Sequence, residues 1–132
     1  MPDEVKEFLK LLPDDLWKER YFELIGEQCY LMPEYKLPKK LRYLRTGIQF
    51  GTFKKGRFEP AHALALWLRD CRCTQDHGAE SKEIAAYLHG DVVPSTCKGW
   101  CLVTVDGYSL GWGKGDGTVL KNHYPKGLRR LN

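Results

Sequence analysis

Four cysteines lie in two close pairs, Cys71-x-Cys73 and Cys97-x-x-x-Cys101, and thiolates so grouped are zinc ligands when their geometry closes. Structural zinc sites favour two to four residues between paired ligands, and the first pair has one. Cys101 also falls in an apolar run, Trp100 to Val105, where a thiol packs inward. The spacing therefore predicts small, idle thiols and no tightly bound metal. His62, His77, His89 and His123 form no HExxH or HxH arrangement, and no serine sits on a nucleophile elbow. Gly111-Trp112-Gly113-Lys114-Gly115-Asp116-Gly117 is glycine-rich, but it lacks the spacing of a phosphate loop and precedes a strand pattern, so it reads as a tight hairpin. No GxGxxG opens a βαβ unit, which leaves neither a dinucleotide nor an S-adenosylmethionine site in view. The chain is expected to have no catalytic residues, no metal and no cofactor of its own.

The remaining pattern is one of binding. Cations alternate with aromatics through Tyr35, Lys36, Arg42, Tyr43, Arg45, Phe50, Phe53, Lys54, Lys55, Arg57 and Phe58. The mixture recurs in Trp112, Lys114, Lys121, His123, Tyr124, Lys126 and Arg129. Cations engage phosphates and aromatic faces stack on unpaired bases, whereas in a barrel the same aromatics are core and only the cations meet water. The charge distribution sharpens the pattern. Residues 1–27 hold eight acids and four bases, while residues 35–58 hold eight bases and no acid, in a chain of 132 residues with net charge +4. Two basic segments in an otherwise balanced chain suggest a polyanionic partner. The expected RNA contacts are Arg45, Lys54, Lys55, Arg57, Lys114, Lys121, Lys126 and Arg129, with Tyr124 as the stacking aromatic. Segments 35–58 and 121–130 are expected to meet on one face.

The elements that must position these residues are short. Val5, Phe8, Leu9 and Leu12 at helical spacing predict an amphipathic helix over 3–12, and Asp14 or Asp15 caps a second turn. Glu27 to Met32 reads as a strand ended by Pro33, and Arg42 to Phe53 as another, with Gly47 and Gly51 marking a bulge or a close backbone approach. Lys54 to Arg57 is a turn. Pro60 suits the first position of a helix that is apolar nearly all round through Leu68, and hence buried. Asp70 to Gly78 reads as a loop. Ser81 opens a helix that Gly90 ends. Trp100–Val105 and Tyr108–Gly113 form a hairpin about Asp106-Gly107, with a second turn at Gly115-Asp116-Gly117 and a further strand from Thr118 to Leu120. The sum is an α+β fold, a small partly open β-barrel with flanking short helices.

No apolar run approaches the roughly 20 residues of a membrane span. The start, Met1-Pro2-Asp3-Glu4, has no signal-peptide pattern, and five cysteines make no disulfide scaffold. The expected location is the cytoplasm.

Two blocks carry a family resemblance. One is Leu44-Arg45-Thr46-Gly47-Ile48-Gln49-Phe50-Gly51 with Lys54 through Ala65. The other is Gly107-Tyr108-Ser109-Leu110-Gly111-Trp112-Gly113-Lys114 followed by Leu120 through Arg129. Together they resemble the C-terminal region of Sun-type RNA cytosine-C5 methyltransferases, in particular the bacterial small-subunit rRNA methyltransferase F-like proteins. The resemblance implies a PUA-like RNA-binding domain over 21–132 behind an N-terminal helical segment, 1–20. It also implies rRNA or tRNA as ligand, and a catalytic domain acting in cis or in trans. The cysteine motifs of that catalytic domain have no counterpart here: the chain has no Pro-Cys, and Thr96-Cys97 lacks the surrounding motif. The rival expectation is a protein-interaction domain that docks through the acidic amphipathic segment 3–27.

Overall fold

The computed structural model describes residues 3–17, 20–33, 48–68 and 71–130. The chain forms two compact units, residues 1–64 and 65–132. Arg45, and the expected strand before Ile48, lie outside the described residues.

In the first unit, helix α1 (Asp3–Leu9) and a 3₁₀ turn (Asp14–Trp17) lead into strands β1 (Arg20–Ile25), β2 (Gln28–Pro33), β3 (Ile48–Lys54) and β4 (Arg57–Pro60). The strands form an antiparallel sheet in chain order. Strand β1 is an element the sequence reading missed, because its apolar residues come in adjacent pairs, Tyr21-Phe22 and Leu24-Ile25, which breaks the period of two. The core is aromatic. Phe8 packs on Phe50 and Phe58 with ring centroids at 5.6 and 5.1 Å, and Phe22 meets Phe50 at 5.7 Å. The aromatics at 50 and 58 are therefore interior, as strand alternation allows. Gly51 is a close approach, as expected: a side chain there would overlap the Glu59 carbonyl and the Phe58 ring. Opposite it, the pairing slips at Cys29/Tyr30.

Helix α2 (His62–Trp67) corrects two expectations. Pro60 ends β4 instead of opening the helix, paired with Gly51 at the sheet edge where its missing N–H does no harm. The helix is buried on one side only: Leu64 and Ala65 are interior, but Leu66 and Trp67 are 58% and 38% exposed.

The second unit continues with β5 (Thr74–His77), α3 (Lys82–His89), β6 (Val93–Pro94), β7 (Lys98–Val105), β8 (Tyr108–Asp116), β9 (Val119–Asn122) and a 3₁₀ turn (Lys126–Leu128). Its sheet runs β5-β7-β8-β9-β6, with β5 parallel to β7. Two of these strands were hidden. The segment expected to be a loop contains β5, whose Thr-Gln-Asp-His sequence has no apolar alternation, its inward positions Gln75 and His77 being only half-buried. Strand β6 has just two residues. Helix α3 follows expectation: the Ser81 hydroxyl caps the Ile84 N–H, and Gly90 closes the helix in the left-handed region at φ 104°. The Asp106-Gly107 loop has both residues at positive φ, 47° and 85°, as a two-residue hairpin of the primed type requires.

The glycine-rich segment is the largest correction. It is strand and not hairpin: β8 runs through Gly111, Gly113 and Gly115 to Asp116, with Gly117 turning into β9. The three glycines point to the face that carries α3, where Ile84, Tyr87, Val93, Cys101, Val103 and Leu120 form the core. A side chain at 111 would meet the Tyr87 hydroxyl, at 113 the Leu120 side chain, and at 115 the Cys97 carbonyl. That hydroxyl donates instead to the Trp112 carbonyl at 2.8 Å. The architecture is α+β: two sheets, one of them a half-barrel, with few short helices.

Candidate nucleic-acid interface

With the glycines of β8 turned toward α3, the alternate residues Trp112, Lys114 and Asp116 lie on the opposite face, where Trp112 is buried and Lys114 and Asp116 are exposed. Cross-strand pairing aligns Trp100 of β7, Lys114 of β8 and Lys121 of β9 in one row. The Lys114 ammonium lies 5.1 Å from the centre of the Trp100 ring, a cation–π contact, and His123 meets the same ring edge-on at 4.6 Å. Lys114 and Lys121 also border an open groove of about 430 Å³ whose remaining lining is Val92, Gly115, Asp116 and Val119. Two ammonium groups flank an apolar floor, a combination that suits a phosphate backbone carrying a base.

Asp116 is the one acid among the described residues that line the groove. It accepts the Thr118 and Val119 N–H groups at 2.8 and 2.9 Å, and these bonds hold its carboxyl below the usual range. Its charge serves the turn into β9.

The other expected RNA contacts divide between the two units. Lys54, Lys55 and Arg57 cluster at the β3–β4 hairpin, where all three are exposed and Lys55 has φ 52°. Lys54 stands 3.9 Å from Glu27, an exposed pair of little energetic weight. Lys126 is exposed in the last 3₁₀ turn. Tyr124 and Arg129 are half-buried in the fold itself. The Tyr124 ring packs on Tyr87 at 5.3 Å, and the Arg129 guanidinium donates to the Tyr124 carbonyl at 3.1 Å and to Asn122 Oδ1 at 3.4 Å. Asn122 in turn donates to the Tyr87 and Asp91 carbonyls, so the terminal segment is tied to the end of α3. Val92 lines the groove and His123 packs on Trp100, whose ring is buried beneath Lys114; none of the three was among the residues expected there. The pairing that sets Trp100 under Lys114 and beside Lys121 is a property of register, which spacing along the chain does not carry.

The apolar face of α1, which a docking partner would need, is occupied inside its own unit: Val5 and Phe8 are buried, as is Leu12 just beyond the helix.

One further cluster lies on the inward side of the second sheet. The sulfurs of Cys73, Cys97 and Cys101 all lie within 4.8 Å of one another. Burial pushes the Cys101 thiol far up, and burial with the neighbouring Cys97 raises Cys73 to about 11. Burial acts in the same direction on Cys97, but hydrogen bonds with Ser95, Cys73 and Cys101 outweigh it and leave that thiol below its ordinary value.

Two family models match the chain in tandem. Residues 6–68 match the RsmF rRNA methyltransferase first C-terminal domain, and residues 74–130 match the methyltransferase RsmF PUA domain. No curated protein matches the chain significantly. The passage from one match to the next falls close to the division between the two compact units. A PUA-like sheet in the second unit, preceded by a C-terminal domain of the same enzymes, places this chain in the RsmF-type rRNA methyltransferase family, as the PUA-containing C-terminal region.

Proposed function

We propose that this chain binds structured RNA, ribosomal or transfer RNA, in the cytoplasm, and presents it to a methyltransferase catalytic domain acting in cis or in trans. The observation that carries the reading is the Trp100–Lys114–Lys121 row beside its apolar groove, on the domain matched as PUA. Cations on this face engage phosphates without regard to sequence, and the groove supplies the shape into which a base is received. The Lys54–Lys55–Arg57 hairpin and Lys126 add further phosphate contacts, and Arg45 is proposed with them. Tyr124 and Arg129 border the same stretch and support it chiefly by holding the terminal segment in place.

The test is filter binding of a structured small-subunit rRNA fragment across a range of salt. Lys114→Ala with Lys121→Ala should weaken binding and flatten the plot of log affinity against log salt by about 0.7 to 0.9 for each phosphate no longer neutralised. Both side chains are exposed, so the thermal midpoint should barely move. Given S-adenosylmethionine, the chain should leave the bound RNA unmethylated. Parental affinity and salt slope in the double variant would reduce this surface to solvated charge.

A further inference from the structure

The thiol cluster lies on the opposite side of the sheet from the basic row, and nothing in RNA binding requires it. Its geometry is built by the backbone. Cys73 immediately precedes β5, and the Leu102 N–H donates to the Cys73 carbonyl at 2.9 Å, so parallel pairing sets Cys73 beside Cys101 on β7. Cys97 comes from the segment before β7. Its N–H donates to Ser95 Oγ at 3.1 Å, and its carbonyl accepts the Gly117 N–H at 2.9 Å, in the space the missing Gly115 side chain leaves open. Two stretches far apart in sequence, one carrying Cys73 and the other Cys97 and Cys101, thus converge with their thiols facing one another.

The Cys97 and Cys101 sulfurs are 3.6 Å apart, and all three sulfurs lie within 4.8 Å. Thiolates about 2.3 Å from a tetrahedral zinc ion stand about 3.8 Å from each other, so an ion is accommodated by side-chain adjustment of about 1 Å or less. Cys101 is fully buried, while Cys73 and Cys97 are half-exposed, which leaves an entry path. Cys71 is outside the trio. The sequence pairs Cys71 with Cys73, and that pairing argued against a metal; the fold pairs Cys73 with the other two.

We propose that Cys73, Cys97 and Cys101 form a three-thiolate site for a thiophilic divalent cation, Zn(II), with a water in the fourth position. Binding replaces three S–H protons by three Zn–S bonds and releases the protons to solvent, giving a site of net charge −1 from an ion of charge +2. The ion joins the start of β5 to both sides of the turn into β7, and so clips together the two ends of the segment that contains α3. A soft cation fits this donor set better than magnesium or calcium, which demand oxygen ligands.

The experiment uses the full chain, reduced and stripped of metal, with Co(II) as the spectroscopic probe and Zn(II) as its competitor. The expected result is one Co(II) per chain with intense sulfur-to-metal charge-transfer absorption, displaced by one equivalent of Zn(II). Peptide mass spectrometry after brief alkylation should show Cys73 and Cys97 modified in the metal-free chain, and protected about ten-fold or more when zinc is added. Cys97→Ser, at a half-exposed position, should lose the absorption while keeping the parental circular dichroism. The alkylation comparison needs no variant, so the proposal stays testable if Cys97→Ser fails to fold. It is overturned by the absence of the charge-transfer band, by equal alkylation with and without zinc, or by a folded Cys97→Ser that retains the full band. A Cys97–Cys101 disulfide that forms in air with zinc present would also overturn it, since the pair would then be a redox couple.

Discussion

Asp76 accepts hydrogen bonds from Thr104 Oγ1 at 2.6 Å and from the Gly107 N–H at 2.8 Å, and so joins β5 to the far end of the β7–β8 hairpin. These bonds favour the carboxylate and hold its pKa below the ordinary 3.8. The unfolded chain makes neither bond, so its carboxyl takes up a proton first as the pH falls. The stabilisation is therefore complete above the unfolded value and drains away as acidity passes down through the folded one, and Asp116 contributes with the same sign. Chemical denaturation followed by circular dichroism should show stability falling as the pH drops below 3.8, with Asp76→Asn less stable at neutral pH and flatter across that acid range. None of this was legible in Thr-Gln-Asp-His. A polar tetrapeptide gives no period, and its strand character exists only through the ladder that β7 offers it. Ser81 and Gly90, whose work is local to one helix, were legible for the same reason in reverse. The exposed lysines could be named from the sequence as cations, but their grouping into a row could not.

At the scale of elements, strand β8 shows how a motif misleads when read locally. Gly-Trp-Gly-Lys-Gly-Asp-Gly has the composition of a turn, yet its glycines recur every second residue, which is the period of a strand. Their role is to admit Tyr87, Leu120 and the Cys97 carbonyl against the backbone. Gly113→Ala should therefore cost about 1–3 kcal/mol by overpacking against Leu120. Gly127→Ala, where a side chain meets nothing within 4 Å, should leave stability nearly unchanged, and urea unfolding of the two variants makes the comparison. The hairpins about Lys55-Gly56 and Asp106-Gly107 were legible because their geometry depends on two residues alone. Pro60 was misassigned because proline is at home both at a helix start and on a strand edge, and the choice is made by Gly51 across the ladder.

For the molecule as a whole, the polarity of the charge distribution was plain in the sequence, while the division into two units was not. Among the described residues, the first unit carries Lys54, Lys55 and Arg57 on a hairpin tip and the second carries Lys114 and Lys121 on a sheet face, and the two sets are separable by mutation. Lys54→Ala with Lys55→Ala and Arg57→Ala should flatten the salt dependence of RNA binding. Adding Lys114→Ala and Lys121→Ala should flatten it further, by about 0.7 to 0.9 for every phosphate left without its cation. Replacing Glu4 and Glu7 on α1 and Lys10 at its end should leave affinity unchanged. The alternation in β8 has a consequence for how such a protein diversifies. Its inward positions are closed to almost every codon but glycine's, whereas Lys114 projects toward solvent from the same backbone. A lineage can rewrite the charge at 114 in one mutation while the strand beneath stays the same, and a saturation library of this segment should show a permissive site at 114 between intolerant ones at 113 and 115.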